Sequence, residues 1–351
     1  MRVIFKRVMK KWFSLILLTV FVLGKDAVLA ADNGLSLVVS PLPISLMAEP
    51  GSTVSAQLKI KNGSDHPETL EMGLMKFSAY GDEGKPRLID REAGDDYFDW
   101  ITFSENDFIL NPNEWKTVTA TITVPPTAAF GYYYAVTFSR KNEQIEGGPR
   151  STKVIGATAT LILLEVRVPN ARREVEVLQF STPQKIYEFL PVKFTVKLKN
   201  KGNVHVAPRG NIFIERWGEE KEVAILDING LKGNVLPDSN RIFESEWTDG
   251  FPVYKEKVEG DKVVTNSAGK PMMELKWDFS QVPKLRWGKY SASMLLVYDD
   301  GQKDVPIEGK LTFWVMPWRI MGILAGLMLL VLLGLRSIIW MPFKKLIKKR
   351  Q

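Results

Sequence analysis

The chain has no cysteine in its 351 residues and only two histidines, His66 and His205. Without cysteine no disulfide can staple the fold, no lipid can be attached as in a lipoprotein, and thiolate chemistry is excluded. The two histidines stand 139 residues apart without a neighbouring His, so a zinc site would lack ligands and most nucleophilic mechanisms would lack a base. Also missing are a Gly-X-Ser-X-Gly elbow, a phosphate-binding glycine loop and an HEXXH helix. No enzyme is expected, no cofactor and no metal. Helical apolar periodicity is scarce between the two ends of the chain.

The ends themselves carry membrane signals. Arg2, Lys6, Arg7, Lys10 and Lys11 precede the apolar stretch Trp12 to Gly24, and Val28 and Ala30 occupy small-residue cleavage positions. Residues 1–30 therefore read as a signal peptide. A second apolar run, Ile320 to Leu335, rises about 24 Å as a helix. Arg336 interrupts it but can snorkel near a helix end, and the span extends to residues 319–342. Trp314 and Trp318 flank one side and Trp340 the other, as in an aromatic belt. The basic tail 343–351 then reads as cytoplasmic and the preceding chain as extracellular, a single-pass type I arrangement in the cell membrane. Gly322 and Gly326 form a GxxxG pattern that would allow a weak homodimer through the span.

The formal net charge of +7 resides in these ends. Residues 1–31 carry +5 and residues 317–351 carry +7, which leaves −5 on the exported portion. Nucleic acid is thereby excluded as a partner, since its backbone demands a basic surface.

Between the ends the apolar period is two. Thr53 to Asn62, Lys116 to Val124 and Val192 to Asn200 each alternate apolar with polar residues, the pattern of a sheet with one wet face. Gly, Pro, Asn and Asp punctuate the runs. The order also repeats. KIKNGS, LNPNE and FGYYYAVTF in the first half answer to KLKNKGN, LPDSN and WGKYSASMLLVYDD in the second. Each copy has a strand ending in Asn62 or Asn200, then a proline turn, then a strand led by Gly131 or Gly288. Asn suits a strand end because its side chain bonds nearby backbone. The expected fold is all-β: two tandem immunoglobulin-like antiparallel β-sandwiches, residues 35–168 and 172–316, plus one C-terminal transmembrane helix. Residues 249–269 read as a hairpin insertion in the second sandwich.

Two clusters could carry chemistry. Asp90, Glu92, Asp95, Asp96 and Asp99 could serve a glycan hydrolase as paired carboxylates, or hold calcium weakly, yet the spacing is not that of an EF-hand. Tyr97 lies in that acidic loop, and Tyr132, Tyr133 and Tyr134 enter one strand, where at least one ring must face outward. Exposed rings beside carboxylates suit a glycan or peptide ligand. Trp100 reads as a core residue.

The stretch VVSPLPISLMAEPGSTVSAQLKIKN, followed by WITFSENDFILNPNEWKTVTATITVPPTAAFGYYYAVTF, resembles the peptidoglycan-binding first domain of WxL-interacting proteins of Gram-positive-type cell surfaces. ARREVEVLQF and KFTVKLKNKGNVHVAPRGNIFI are similar to that family's second domain, up to Ile214. The resemblance implies a non-enzymatic membrane-anchored protein whose sandwiches bind cell-wall polymer or partner surface proteins. The insertion departs from the family pattern. An alternative is a strand-donating chaperone or assembly factor for surface proteins, which would need a long unpaired edge.

Overall fold

The computed structural model describes residues 34–141, 158–219 and 221–348. The expected signal peptide lies outside them. The described part is two β-sandwiches in tandem followed by a helix.

In the first sandwich, β1 (Leu37–Ser40), β3 (Thr53–Asn62), β8 (Trp115–Thr123) and β6 (Ile101–Phe103) form one sheet in the order β1-β3-β8-β6. The facing sheet contains β2 (Ile44–Ala48), β10 (Thr158–Val166), β9 (Phe130–Arg140), β4 (Glu68–Tyr80) and β5 (Lys85–Ile89) in that order. A further strand, β7 (Asp107–Leu110), pairs with β4.

The second sandwich repeats this wiring. β11 (Val175–Ser181), β13 (Val192–Asn200) and β16 (Asn240–Trp247) form one sheet; β12 (Ile186–Tyr187), β22 (Asp304–Val315), β21 (Gly288–Asp299), β14 (Arg209–Arg216) and β15 (Glu222–Asp227) form the other. Pairing is antiparallel except where β2 joins β10 and β12 joins β22 in parallel, at the same place in each copy.

The two-residue rhythm does what it predicts. Ala56, Leu58 and Ile60 on β3, and Val192, Phe194, Val196 and Leu198 on β13, are buried, and the residues between them are not. Each sandwich has its own core: Leu58, Ile60, Ile122 and Phe138 in the first, Phe194, Trp247, Tyr290 and Phe313 in the second. Burying such a side chain stabilises by about 1.5–3 kcal/mol. The same alternation delivers Asn62 and Asn200 to the interior, both fully buried.

A third apolar cluster joins the sandwiches. Phe77, Ala135 and Leu163, on the outer face of the β10-β9-β4 sheet, pack with Leu236 of the second sandwich. Beside them the turn between β4 and β5 reaches across: the Asp82 carbonyl accepts from the Ile242 amide at 2.8 Å. The Asp82 carboxylate takes Lys197 Nζ at 2.7 Å and Asn240 Nδ2 at 3.0 Å. An end-to-end arrangement through a short linker is the simplest reading of VPNARR. The structure adds a lateral apolar contact that no local spacing announces.

Two boundaries shift. The insertion is longer than 249–269. An outer rung, β18 (Val258–Glu259) with β19 (Lys262–Val263), turns at Gly260, and an inner rung pairs β17 (Val253–Glu256) with β20 (Met273–Lys276). A 3₁₀ turn, Phe279–Lys284, then leads back to β21. The C-terminal helix α1 runs Trp318–Lys348, so Lys344, Lys345 and Lys348 lie on the helix instead of in a separate tail. Over Trp318–Arg336 it is apolar, unburied and long enough to cross a membrane.

Candidate functional site

The tyrosine group is where expectation and structure differ most. Tyr134 points into the first core, fully buried, and its hydroxyl donates to the Tyr97 carbonyl at 3.0 Å. Tyr97 sits in the 3₁₀ turn Asp96–Trp100, half-buried, with ring centroids 5.3 Å from Tyr132 and 5.2 Å from Tyr134. Burial raises its pKa to about 12, so the hydroxyl stays protonated. Tyr132 is half-buried too, and its hydroxyl accepts from the Ala129 amide at 3.3 Å. Tyr133 is the outward ring that three consecutive tyrosines require. It faces the second sandwich rather than water, with its centroid 5.9 Å from the His205 ring and 5.8 Å from Phe77. The rings cement a core and a domain contact, which corrects the expectation of an exposed aromatic platform. Trp100 packs at the edge of the same core, as expected.

Three of the five acids in the acidic loop are held by cations. Lys76 Nζ lies 2.8 Å from Glu92 and 3.0 Å from Asp95, and both Arg91 amino groups bond Asp99 at 2.8 Å. Asp95 also accepts from the Glu92 amide. That amide and Lys76 hold the Asp95 carboxyl below its usual range, and Arg91 does the same for Asp99. A glycosidase acid needs the opposite shift. Among the described residues no three His, Asp or Glu side chains converge as a metal site.

The two histidines have opposite surroundings. His66 is half-exposed between Asp65 (2.8 Å) and Glu68 (3.0 Å), and the Asp65 hydrogen bond raises its pKa. His205 is buried against Tyr133, and that burial, with Arg173 nearby, lowers its pKa to about 4. They belong to separate surroundings and share no site.

The paired glycines are offset by one residue. Gly288 opens β21 with φ +117°, opposite Val315. In the first sandwich the residue opposite the closing Val166 is Phe130, which itself takes φ +69°. Gly131 follows it and is needed for space, because a Cβ there would stand 2.4 Å from the Tyr133 hydroxyl. At Gly322 and Gly326 a Cβ would meet nothing, so both sit on open helix surface. Trp318 begins α1 and Arg336 ends its apolar window. Trp340 lies outside the residues whose side chains are described.

What remains open to a partner is backbone. In the first sandwich the outermost strands are short: β1 has four residues, β6 three, β2 and β5 five each. The second sandwich exposes longer ones. The free side of β16 is already entered by Asp82 at Ile242. On the other margin of that sheet, the seven-residue β11 pairs only with β13 among the described residues. It carries a bulge between Val177 and Gln179 and an exposed Leu178. The six-residue β15, with exposed Ile225, ends the facing sheet. Such margins offer amide and carbonyl groups to an added strand. Sequence patterning can find strands but not their order, so these edges were illegible before the sheets were assembled. A cleft of about 640 Å³ between the sandwiches is lined by Glu49, Glu165, Arg167, Arg173 and Asp300, but Glu165 is bonded to Arg173 and Glu49 lies 3.6 Å from Arg167.

No protein-family model matches the chain, and no curated protein matches it. Among solved structures, it is similar to the class 5 fimbriae chaperone CfaA at 13% identity, covering 69% of this chain and all of that one, with a TM-score of 0.33. It is also similar to the E. coli chaperone DraB at 13% identity, covering 79% and 98%, with a TM-score of 0.32. A third similarity is to the CsuC–CsuE chaperone–tip adhesion subunit complex of Acinetobacter baumannii, at 12% identity over 59% and 89%, with a TM-score of 0.31. At such scores a neighbour's partner or activity does not carry over to this chain.

Proposed function

We propose that this chain is a non-enzymatic, single-pass membrane protein that holds two joined sandwiches outside the cell and binds or helps assemble partner surface proteins through an exposed sheet edge. The margin of β11 carries the reading: over its seven residues the strand pairs with β13 alone among the described residues. Main-chain bonding supplies affinity to an added strand, and Leu178 gives it an apolar side-chain contact. The apolar helix supports the tether, and its basic C-terminal end supports an outward orientation of the sandwiches. Surface proteins are also the partner class that the resemblance to WxL-interacting proteins implies. Cell-wall polymer is the weaker partner, because the tyrosines that would have stacked on sugar rings are engaged inside the molecule.

The test is site-specific photocrosslinking in intact cells from Leu178 on β11 and from Ile109 on the first sandwich. Adducts with surface proteins from Leu178 alone, together with slowed amide exchange confined to Val175–Ser181 in the purified complex, are expected. Equal adducts from both positions, or wall-polymer sedimentation that leaves β11 exchange unchanged, would overturn the strand-edge reading.

A further inference from the structure

Six tryptophans among the described residues are 42–60% exposed; Trp115 lies in the first sandwich, and the other five are Trp217, Trp277, Trp287, Trp314 and Trp318. Scattered surface apolars need no explanation, but these gather at one end of the second sandwich. Register fixes the place. The start of β21 at Gly288 lies opposite the end of β22 at Val315, and α1 begins three residues later. The Trp217 amide donates to the Lys289 carbonyl and the Trp314 amide to the Lys185 carbonyl, both on strands reaching that same end.

The insertion folds onto this end. Phe251 bridges to Leu285, and the chain after β12 bridges Leu190 to Val253. The Trp277 ring stacks on Phe279 at 6.2 Å and meets Phe251 at 5.8 Å and Phe189 at 6.3 Å. Phe189 stands beside Glu188, whose Oε1 is 3.4 Å from Arg319 Nε in the first turn of the helix. Phe279 is the most exposed of the group, at 72%.

We propose that this end is a membrane-interface foot: the insertion, residues 248–287, and the rims of β14 and β22 seat their aromatic rings among lipid headgroups. The proposal rests on the reading of α1 as a membrane span. Three residue steps from Val315 to Trp318 reach at most about 10 Å, which leaves no room for a folded partner between this end and a bilayer that α1 enters. The chemistry also fits an interface, where one end of a ring is apolar and the other wet. Lys289 Nζ sits 3.5 Å over the Trp217 ring and the Arg216 guanidinium 5.0 Å over Trp287. Lys284 and Arg286 are both bonded to Asp249, so the cations stand paired or stacked beside the rings. A foot of this kind would hold the sandwiches at a set angle to the membrane, where a lone helix would let them pivot.

The absence of cysteine allows a direct test with single-cysteine variants of the full chain, spin-labelled in phosphatidylcholine–phosphatidylglycerol vesicles. Labels at Phe279→Cys and Val282→Cys should collide with oxygen several-fold more, relative to a water-soluble nickel chelate, than a label at Ile109→Cys. All three positions are exposed, so the fold should tolerate the changes. A Leu327→Cys label separates the two readings. If Leu327 reports lipid while Phe279 and Val282 match Ile109, the foot is wrong and the span stands. If Leu327 reports water, the span fails and takes the foot with it. Shielding of Phe279 from both reagents with spin–spin broadening would mean that a second copy covers this end, which also overturns the proposal.

Discussion

The Asn200 carboxamide repeats, bond for bond, what the Asn62 carboxamide does in the first sandwich. Asn62 Nδ2 donates to the carbonyls of His66 at 2.8 Å and Leu110 at 3.0 Å, and its Oδ1 accepts from the Ser64 amide. Asn200 Nδ2 donates to Val204 at 2.8 Å and Val235 at 2.9 Å, and its Oδ1 accepts from Gly202. Each side chain thus ties a strand end to the following turn and to a second turn 48 or 35 residues away. The second turn is duplicated as well: Pro112 precedes Asn113 at φ +62° and Pro237 precedes Asp238 at φ +54°, the left-handed position of a proline turn.

Replacing either Asn by Ala strands two carbonyls and one amide in a buried place. The expected cost is about 3 kcal/mol at each site, read as a drop in the urea midpoint. Asp should be worse than Ala at pH 7, because it turns an acceptor toward two acceptors. The sites lie in separate cores, so the double variant should lose the sum. A loss below about 0.5 kcal/mol at either site would show that the tie is dispensable.

The repeat itself was legible in the sequence, and so were the strands, because alternation is written into adjacent residues such as Leu58 and Ile60. The long arm of Asn62 was not. Its reach to Leu110 depends on β3 and β7 meeting, which the residues around position 62 do not encode. The same holds for Tyr133. Its outward direction follows from Tyr132 and Tyr134 on either side, but what it faces depends on where the second sandwich docks. Strand order is equally silent, so the free margin of β11 emerged only from the assembled sheet.

The contact between sandwiches should be separable from their folding. Leu236 is buried against Phe77, Ala135 and Leu163, and an Asp there would place a charge in an apolar seam. Because each sandwich keeps its own core, Leu236→Asp should leave circular dichroism unchanged while small-angle scattering reports a larger radius of gyration. Asp82→Ala, which removes one half-exposed ion pair and one hydrogen bond, should cost only about 1 kcal/mol and leave the dimension as it was. Unchanged scattering from Leu236→Asp would mean that the Asp82 turn and the Tyr133–His205 contact hold the pair without the apolar cluster.

The acidic loop should behave as a strut. To gather Glu92, Asp95 and Asp99, calcium would have to displace Lys76 from the first two and Arg91 from the third. Millimolar calcium is therefore expected to leave the melting temperature where it stands. Lys76→Met should lower it modestly, since the two carboxylates lose their shared cation. A rise in melting temperature on adding calcium to the wild type would restore the calcium reading of residues 90–99.

His205 gives the sandwich contact a defined acid limit. Burial against Tyr133 favours the neutral ring, so the folded pKa lies at about 4 against an ordinary 6.5. As pH falls, the unfolded chain takes the proton first. Stability is therefore complete above about pH 6.5, declines towards pH 4 and is flat below, for a total near 3 kcal/mol. His66 runs the other way: Asp65 raises its pKa, so its contribution is present in acid and lost as pH rises. The measurement is thus the difference between wild type and His205→Gln, taken by urea unfolding at pH 4.5 and pH 7, which cancels His66 and the carboxylates. The wild type should lose more stability than the variant on acidification. Equal losses would mean that His205 reaches water in the folded protein and that the seam between the sandwiches is open.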